Sequence, residues 1–173
     1  MLKQVIFTII LAIPAIILPA QNKEYSSDFR PLNIITVNLC GDASLISLYY
    51  ERLFLINPTI FLTGKLGIGL NEATLQYIFG YKHSLEVYFI TIPHHITCNF
   101  GKGIHFFETG MGGSMIYRNT DQNYFLYPII GYRIQPLKSD RVNFRIFGII
   151  PFSGYDHEEI CFSPLGLSLG ICL

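Results

Sequence analysis

From about residue 31 onward, the chain consists of short runs in which apolar and polar side chains alternate. The clearest run is residues 165–173, where Leu and Ile occupy every second position, with Gly, Ser and Cys between them. A period of two places the apolar side chains of a strand on one face. The pattern predicts eight strands, at residues 31–40, 44–53, 58–70, 84–99, 103–117, 123–135, 141–152 and 159–173.

The breaks between these strands contain residues that favour turns. Gly, Asn, Asp and Pro are concentrated there, because they adopt turn conformations or end a strand. The predicted turns lie at residues 40–42, 57–58, 71–72, 99–103, 118–123, 136–140 and 153–158. An even number of long antiparallel strands joined by turns is typical of an up-and-down barrel.

Alternation alone does not decide which face of a strand points outward. A soluble lipocalin-like barrel buries its apolar face and needs a charged exterior. Here the polar faces are mainly Gly, Thr, Ser and Asn, and only 14% of all residues are charged, against about 25% in soluble domains. We therefore predict an all-β, eight-stranded, antiparallel up-and-down transmembrane β-barrel. A soluble periplasmic lipocalin-like binding barrel is an alternative, and it requires the opposite face assignment.

The N-terminus has the pattern of an export signal. Lys3 precedes an apolar run at residues 5–18, and Ala20 is a suitable cleavage position. This run is shorter than the ~20 apolar residues of a spanning helix, and Pro14 interrupts it. The predicted organisation is a cleaved signal peptide at 1–20, a periplasmic lead-in at 21–29 and a barrel domain at 30–173. This organisation predicts export to the outer membrane.

These features together resemble a known family. The signal peptide, the eight alternating segments and the closing strand at 164–173 are similar to the small eight-stranded outer-membrane proteins of Gram-negative bacteria related to the barrel domain of OmpA. The closing strand of such barrels is a recognition signal for the barrel-assembly machinery and usually ends in an aromatic residue, where this chain has Leu173. The resemblance implies a barrel surrounded by outer-membrane lipid and lipopolysaccharide, with a narrow interior filled by side chains. It implies no specific activity.

With the polar faces inward, five charged residues are expected inside the barrel. A lone buried charge is costly, so two acids and three bases there should pair with one another. The predicted interior ion-pair network is Glu51, Lys65, Glu108, Arg133 and Arg145. In OmpA-like barrels such pairs plug the lumen, and their rearrangement is what a small conductance would need. A plug that only satisfies polarity is the simpler interpretation.

Four prolines fall inside predicted strands, where each removes a hydrogen-bond donor from the sheet. They are Pro93, Pro128, Pro151 and Pro164. The last three lie in successive strands toward one end, and they define a possible weakened seam. Bulges or frayed rims are the simpler interpretation. A seam that admits a lipid chain is implied by similarity to lipid-modifying palmitoyltransferase barrels.

The sequence gives little support for catalysis. A set of Ser153, Asp156 and His157 is weak evidence, since outer loops often contain such residues. His94 and His95 are adjacent and should point to opposite faces, so they should not chelate one metal. No GxSxG, HExxH or phosphate-binding glycine loop is present, and a formal net charge of zero leaves no footprint for nucleic acid. The four cysteines, widely spaced, are compatible with free thiols or with a disulfide.

The sequence therefore predicts a non-enzymatic outer-membrane barrel, with no catalytic residue, cofactor or metal and no indicated oligomeric state. It would act as a structural or interaction protein or as a narrow, porin-like pore. The main alternative is a lipid-modifying barrel enzyme.

Overall fold

Eight antiparallel strands form one closed barrel in the computed structural model, which describes residues 30–42, 44–71, 89–117, 124–137, 141–150 and 163–173. Each strand pairs with its neighbours in sequence, and the first pairs with the last. The strands are β1 (Asn33–Leu39), β2 (Ile46–Asn57), β3 (Ile60–Asn71), β4 (Phe89–Lys102), β5 (His105–Tyr117), β6 (Tyr124–Ile134), β7 (Val142–Ile149) and β8 (Leu165–Cys172). The predicted all-β, eight-stranded antiparallel barrel is confirmed. Across these ranges no helix has the length and apolar character needed to cross a membrane.

The strands turn their apolar faces outward and their polar faces inward. In β8, Leu169 is 59% exposed, whereas Ser168 beside it is buried. The same alternation of exposed and buried residues occurs in β1 and β7. Because the strand period is two, one inward residue fixes the direction of every other side chain in the strand.

Two of the three connections at one end of the barrel are two-residue turns, whereas every connection at the other end has six or more residues. We call the end with residues 58–59, 103–104 and 135–141 the short-turn end; Asn33 and Cys172 also lie there. We call the other end the loop end, because its connections are residues 40–45, 72–88, 118–123 and 150–164. The two ends of the barrel can therefore be told apart by their connections.

The hairpin between β4 and β5 corrects one predicted boundary. A strand end at residue 99 was expected from the Asn and Gly residues that follow it. Instead, β4 continues to Lys102, which pairs with His105 across a two-residue turn. Gly103 takes the positive φ of +65° that such a tight turn needs. Asn99, with its side chain buried inside, is therefore a strand residue.

The prolines perturb the sheet locally without opening it. At Pro93 the β3–β4 pairing is interrupted between Leu66–His94 and Gly69–Thr91, while Pro93 still pairs with Ser114 of β5. An interruption on one side is expected, since proline lacks the N–H of one ladder bond.

Near the loop end, the described prolines of the predicted seam differ from one another in their relation to the strands. Pro128 lies within β6, one residue beyond its pairing with β7, which ends at Ile129. The prediction that Pro164 lies inside a strand is wrong, because β8 begins at Leu165. The Pro164 carbonyl still accepts a 2.9 Å bond from the Ile149 N–H, and this bond extends the β7–β8 ladder. Pro151 lies outside the described residues.

Candidate functional site: the charged interior of the barrel

The structure places five charged side chains together at mid-height in the lumen, each of them fully buried. They come from five strands: Glu51 from β2, Lys65 from β3, Glu108 from β5, Arg133 from β6 and Arg145 from β7. All five are the residues that the sequence pattern placed inside. Sequence alternation gave their direction, and closure of the barrel brings them together.

The five residues form one chain of alternating charge. Lys65 Nζ lies 3.4 Å from Glu51 Oε2, and Glu51 Oε1 accepts a hydrogen bond from Arg133 Nη1. Arg133 Nη2 in turn lies 3.6 Å from Glu108 Oε1, and Glu108 Oε2 accepts from Arg145 Nε. Since β2 and β6 are four strands apart in an eight-stranded barrel, the Glu51–Arg133 pair crosses the lumen. The chain therefore closes the lumen at this level.

Strand register explains why an acid is needed beside Arg133 and Arg145. Arg133 and Arg145 are directly opposed on β6 and β7, where like charges repel. Glu108 contacts both of them and offsets that repulsion. Its Oε1 also accepts a 2.6 Å bond from Thr97 Oγ1. Removing one acid would leave a buried base without a counter-charge, which is strongly destabilising.

An aromatic layer covers the charged chain on the side of the loop end. The Lys65 ammonium lies 4.8 Å from the ring of Tyr49, and the Arg145 guanidinium lies 4.0 Å from that of Phe147. His95 contacts both rings and Tyr127, whose hydroxyl lies 3.0 Å from His95 Nε2. The two terminal cations of the chain are thus held under one layer by cation–π contacts.

Inward-facing glycines make room for these rings. Each ring lies beside the glycine directly opposite on a neighbouring strand, in the pairs Tyr49–Gly67, Tyr127–Gly112 and Phe147–Gly166. A Cβ at these glycines would approach ring carbons to 2.6, 2.4 and 2.3 Å respectively. The lumen at this level is therefore closely packed.

The first connection at the loop end folds into the barrel. Asp42, with a positive φ of 47°, turns its carboxylate inward and is completely buried. Its Oδ2 accepts hydrogen bonds from Tyr49 Oη and from Asn38 Nδ2 at 3.1 Å, and its carbonyl accepts one from Ser114 Oγ at 2.7 Å. Burial raises the pKa of Asp42 to about 6.

Arg30 closes the short-turn end. It precedes β1, is 1% exposed and lies 4.7 Å above the ring of Phe106. Its guanidinium donates to the carbonyls of Gln135, at 2.9 Å, and Gly103. Between Arg30 and the charged chain lies an apolar cluster of Ile34, Leu53, Phe61, Phe106 and Cys172.

Sequence reasoning missed the aromatic layer and the two residues that close the ends of the lumen, Asp42 at the loop end and Arg30 at the short-turn end; we call these two residues the end plugs. Asp42 was interpreted only as part of a turn, and Arg30 only as the start of the barrel domain. The inward register of Tyr49, Phe147 and their partner glycines was available as a signal, because they share faces with Glu51, Arg145 and Lys65. The plugs gave no such signal, since they lie outside the strands.

The remaining candidate residues are dispersed. His95 faces inward and His94 outward, where His94 Nε2 lies 2.8 Å from Tyr124 Oη. Cys40, Cys98 and Cys172 are free thiols. Cys161 and the predicted set of Ser153, Asp156 and His157 lie outside the described residues. Within those ranges no three His, Cys, Asp or Glu side chains form a metal-binding group.

The fold and the site together define a class: a closed eight-stranded antiparallel β-barrel with an apolar exterior and a lumen filled by charged and aromatic side chains. No protein-family model, curated protein or solved structure matches the chain.

Proposed function

We propose that the protein is an outer-membrane β-barrel that acts as a structural or interaction element, with no open channel. The observation that carries the proposal is the distribution of polarity, which is the reverse of a soluble barrel. Large apolar side chains cover the outer face of the strands, while five charges are buried in the lumen. Lipid is the solvent that favours such an exterior.

Paired polar aromatic groups mark both edges of the apolar exterior on one side of the barrel. His94 pairs with Tyr124 toward the loop end, and His105 pairs with Tyr132 toward the short-turn end. Tyr124 and Tyr132 are eight residues apart on β6, which is about 26 Å along the strand and about 20 Å along the axis of a tilted barrel. This span is comparable to the apolar band of outer-membrane barrels, about 25 Å high. Amphipathic rings at both edges suit the two membrane interfaces.

The filled lumen supports a structural or interaction role. Arg30, the charged chain, the aromatic layer and the Asp42 turn occupy it from end to end. Any pore would therefore open only when the charged chain rearranges. The surrounding partners would be outer-membrane lipid and lipopolysaccharide, with the barrel-assembly machinery during insertion through the closing strand. Export would depend on the predicted signal peptide at residues 1–20.

Cell fractionation combined with gel mobility tests the proposal. The full chain is expected in the outer-membrane fraction, with an unheated band that shifts when the sample is boiled, because a closed barrel resists detergent until it is heated. Reconstitution into planar bilayers should give no steady conductance. A protein found in the soluble periplasmic fraction without a heat shift would contradict the proposal and favour a soluble binding barrel.

That soluble alternative requires a polar exterior, whereas the described strands expose large apolar side chains on the outside and bury five charged side chains in the lumen beside two apolar clusters. The lipid-modifying alternative rests on the prolines of the predicted seam, of which Pro128 lies within β6 and removes one hydrogen-bond donor from the sheet. A lipid chain could enter the wall at such a position. If the protein modifies lipid, overexpression should change the acyl content of lipid A, and His157→Ala should abolish the change. Unchanged lipid A under overexpression would exclude this alternative.

A further inference from the structure

We propose that the lumen binds one small monovalent anion of the halide class between Lys65 and Arg145, closing the chain of five charges into a ring. The site depends on the closed barrel and its interior ion pairs, and it adds a binding function to the structural role proposed above.

The five residues of the chain carry a net positive charge, which one further anion would neutralise. Lys65, Arg133 and Arg145 contribute three positive charges, and Glu51 and Glu108 contribute two negative charges. The sum is +3 − 2 = +1. Both ends of the chain are cations, so one monovalent anion between them would extend the alternation and neutralise the set.

The two terminal cations have donors to offer. Lys65 Nζ and both Arg145 Nη atoms are buried and make no hydrogen bond to any residue that the structure describes. Buried donors need a partner, and charged donors most of all. Lys65 and Arg145 also repel each other electrostatically and lie under the same aromatic layer. An anion between them would satisfy the donors and offset the repulsion.

Asp42 is the rival source of negative charge. Its carboxylate acts on Lys65 at a distance, but Oδ2 bonds to Tyr49, Asn38 and Ser47 and forms no ion pair with a described cation. The remaining negative charge is therefore expected to come from a dissolved anion.

The test measures thermal unfolding of the full-length protein in detergent at constant ionic strength, with sodium chloride replacing sodium gluconate. Gluconate is too large for the packed lumen. Above the dissociation constant, a tenfold increase in chloride should raise the ratio of folded to unfolded protein up to about tenfold. The dependence should disappear in Lys65→Met and persist in Lys102→Met, which changes an exposed lysine at the short-turn end.

The ³⁵Cl line width of the wild-type protein gives a readout that requires no variant. Broadening that bromide displaces would support the site even if Lys65→Met does not fold. Unfolding that is independent of chloride, without line broadening, would show that water alone satisfies the donors and would overturn the proposal. Chloride dependence seen only in Asp42→Asn would overturn it too, because Asp42 would then supply the charge.

Discussion

At the scale of single residues, the interior is organised by pairs that face each other across neighbouring strands. Tyr49, Tyr127 and Phe147 each occupy the space left by a glycine in register. An aromatic ring can bend over a glycine because no Cβ opposes it, and the barrel wall can then hold a larger side chain than its narrow lumen would otherwise accept. In each pair the small size of the glycine therefore has to match the large size of the ring opposite it.

Gly67 offers a direct test of that complementarity. Gly67→Ala should destabilise the barrel by about 1–3 kcal/mol, since the new Cβ would lie 2.6 Å from Tyr49 Cδ1 and 2.7 Å from the Leu48 carbonyl. Urea unfolding in detergent measures the effect. The matched control is Gly64→Ala on the same strand, where the nearest atom, Phe54 Cε2, is 3.8 Å away. Equal stability of the two variants would show that the ring does not depend on the glycine.

Asp42 should make stability depend on pH. Its folded pKa of about 6 lies above the ordinary value of 3.8, so the folded state binds the proton more tightly than the unfolded state. Stability from this group is therefore highest below pH 4 and falls as the pH rises to about 6, by about 3 kcal/mol in total. Asp42→Asn keeps an acceptor for Tyr49 and removes the charge.

Comparing the two proteins at pH 4 and pH 8 isolates the Asp42 contribution from the other titrating groups. The stability of Asp42→Asn relative to wild type should be higher at pH 8 than at pH 4. A relative stability that is the same at both values would show that Asp42 is not buried as an acid.

At the scale of elements, the charged chain joins strands that are not neighbours. Backbone ladders connect each strand only to the next one, whereas the Glu51–Arg133 pair connects opposite walls of the barrel. Such a cross-link resists flattening of the barrel. The same pair also fills the lumen at this level. Stability and closure should therefore change together.

Glu51→Ala tests this coupling. It leaves Lys65 and Arg133 without their shared acid, and we expect a loss of about 3–5 kcal/mol or an opened conductance. Urea unfolding and planar-bilayer recording measure the two effects, and Glu108→Ala should act similarly. Arg52→Ala, which changes the next residue on the outer face, is the control. Unchanged heat resistance together with unchanged conductance in both acid variants would contradict a coupling role.

At the scale of the whole molecule, apolar side chains cover the exterior and charged side chains lie in the lumen, and this distribution is the basis of the proposed membrane environment. Outward Leu and Ile are exposed at mid-height, and polar aromatic pairs lie at the edges. In water this exterior would be an aggregation surface. In a bilayer the same surface is solvated by lipid, and charge rather than apolarity becomes costly.

A charge at mid-height of β8 should reveal that cost. Leu169→Arg should lower the free energy of unfolding in lipid vesicles by about 2–4 kcal/mol, because Leu169 lies in the middle of the apolar exterior. Leu165→Arg, at the loop end of the same strand, should cost about 0–1 kcal/mol. Equal effects of the two substitutions would argue against a bilayer surrounding the barrel.

The sequence by itself determined the number of strands, their antiparallel order and the inward and outward faces of β3, β7 and β8, because a period of two is a local property of the chain. It also selected the five interior charges on that basis. The local pattern failed where glycine and proline occur both inside strands and at their ends. It ended β4 at residue 99, before the actual turn at Gly103, and it placed Pro164 inside a strand.

Only the tertiary structure decided which charges meet. Closure of the barrel brings β2 opposite β6, and this arrangement orders five residues into a chain of alternating sign with cations at both ends. The inward fold of the Asp42 turn and the capping position of Arg30 were decided there as well. Contacts of this kind join residues up to 105 positions apart, and no local pattern in the chain records such distances.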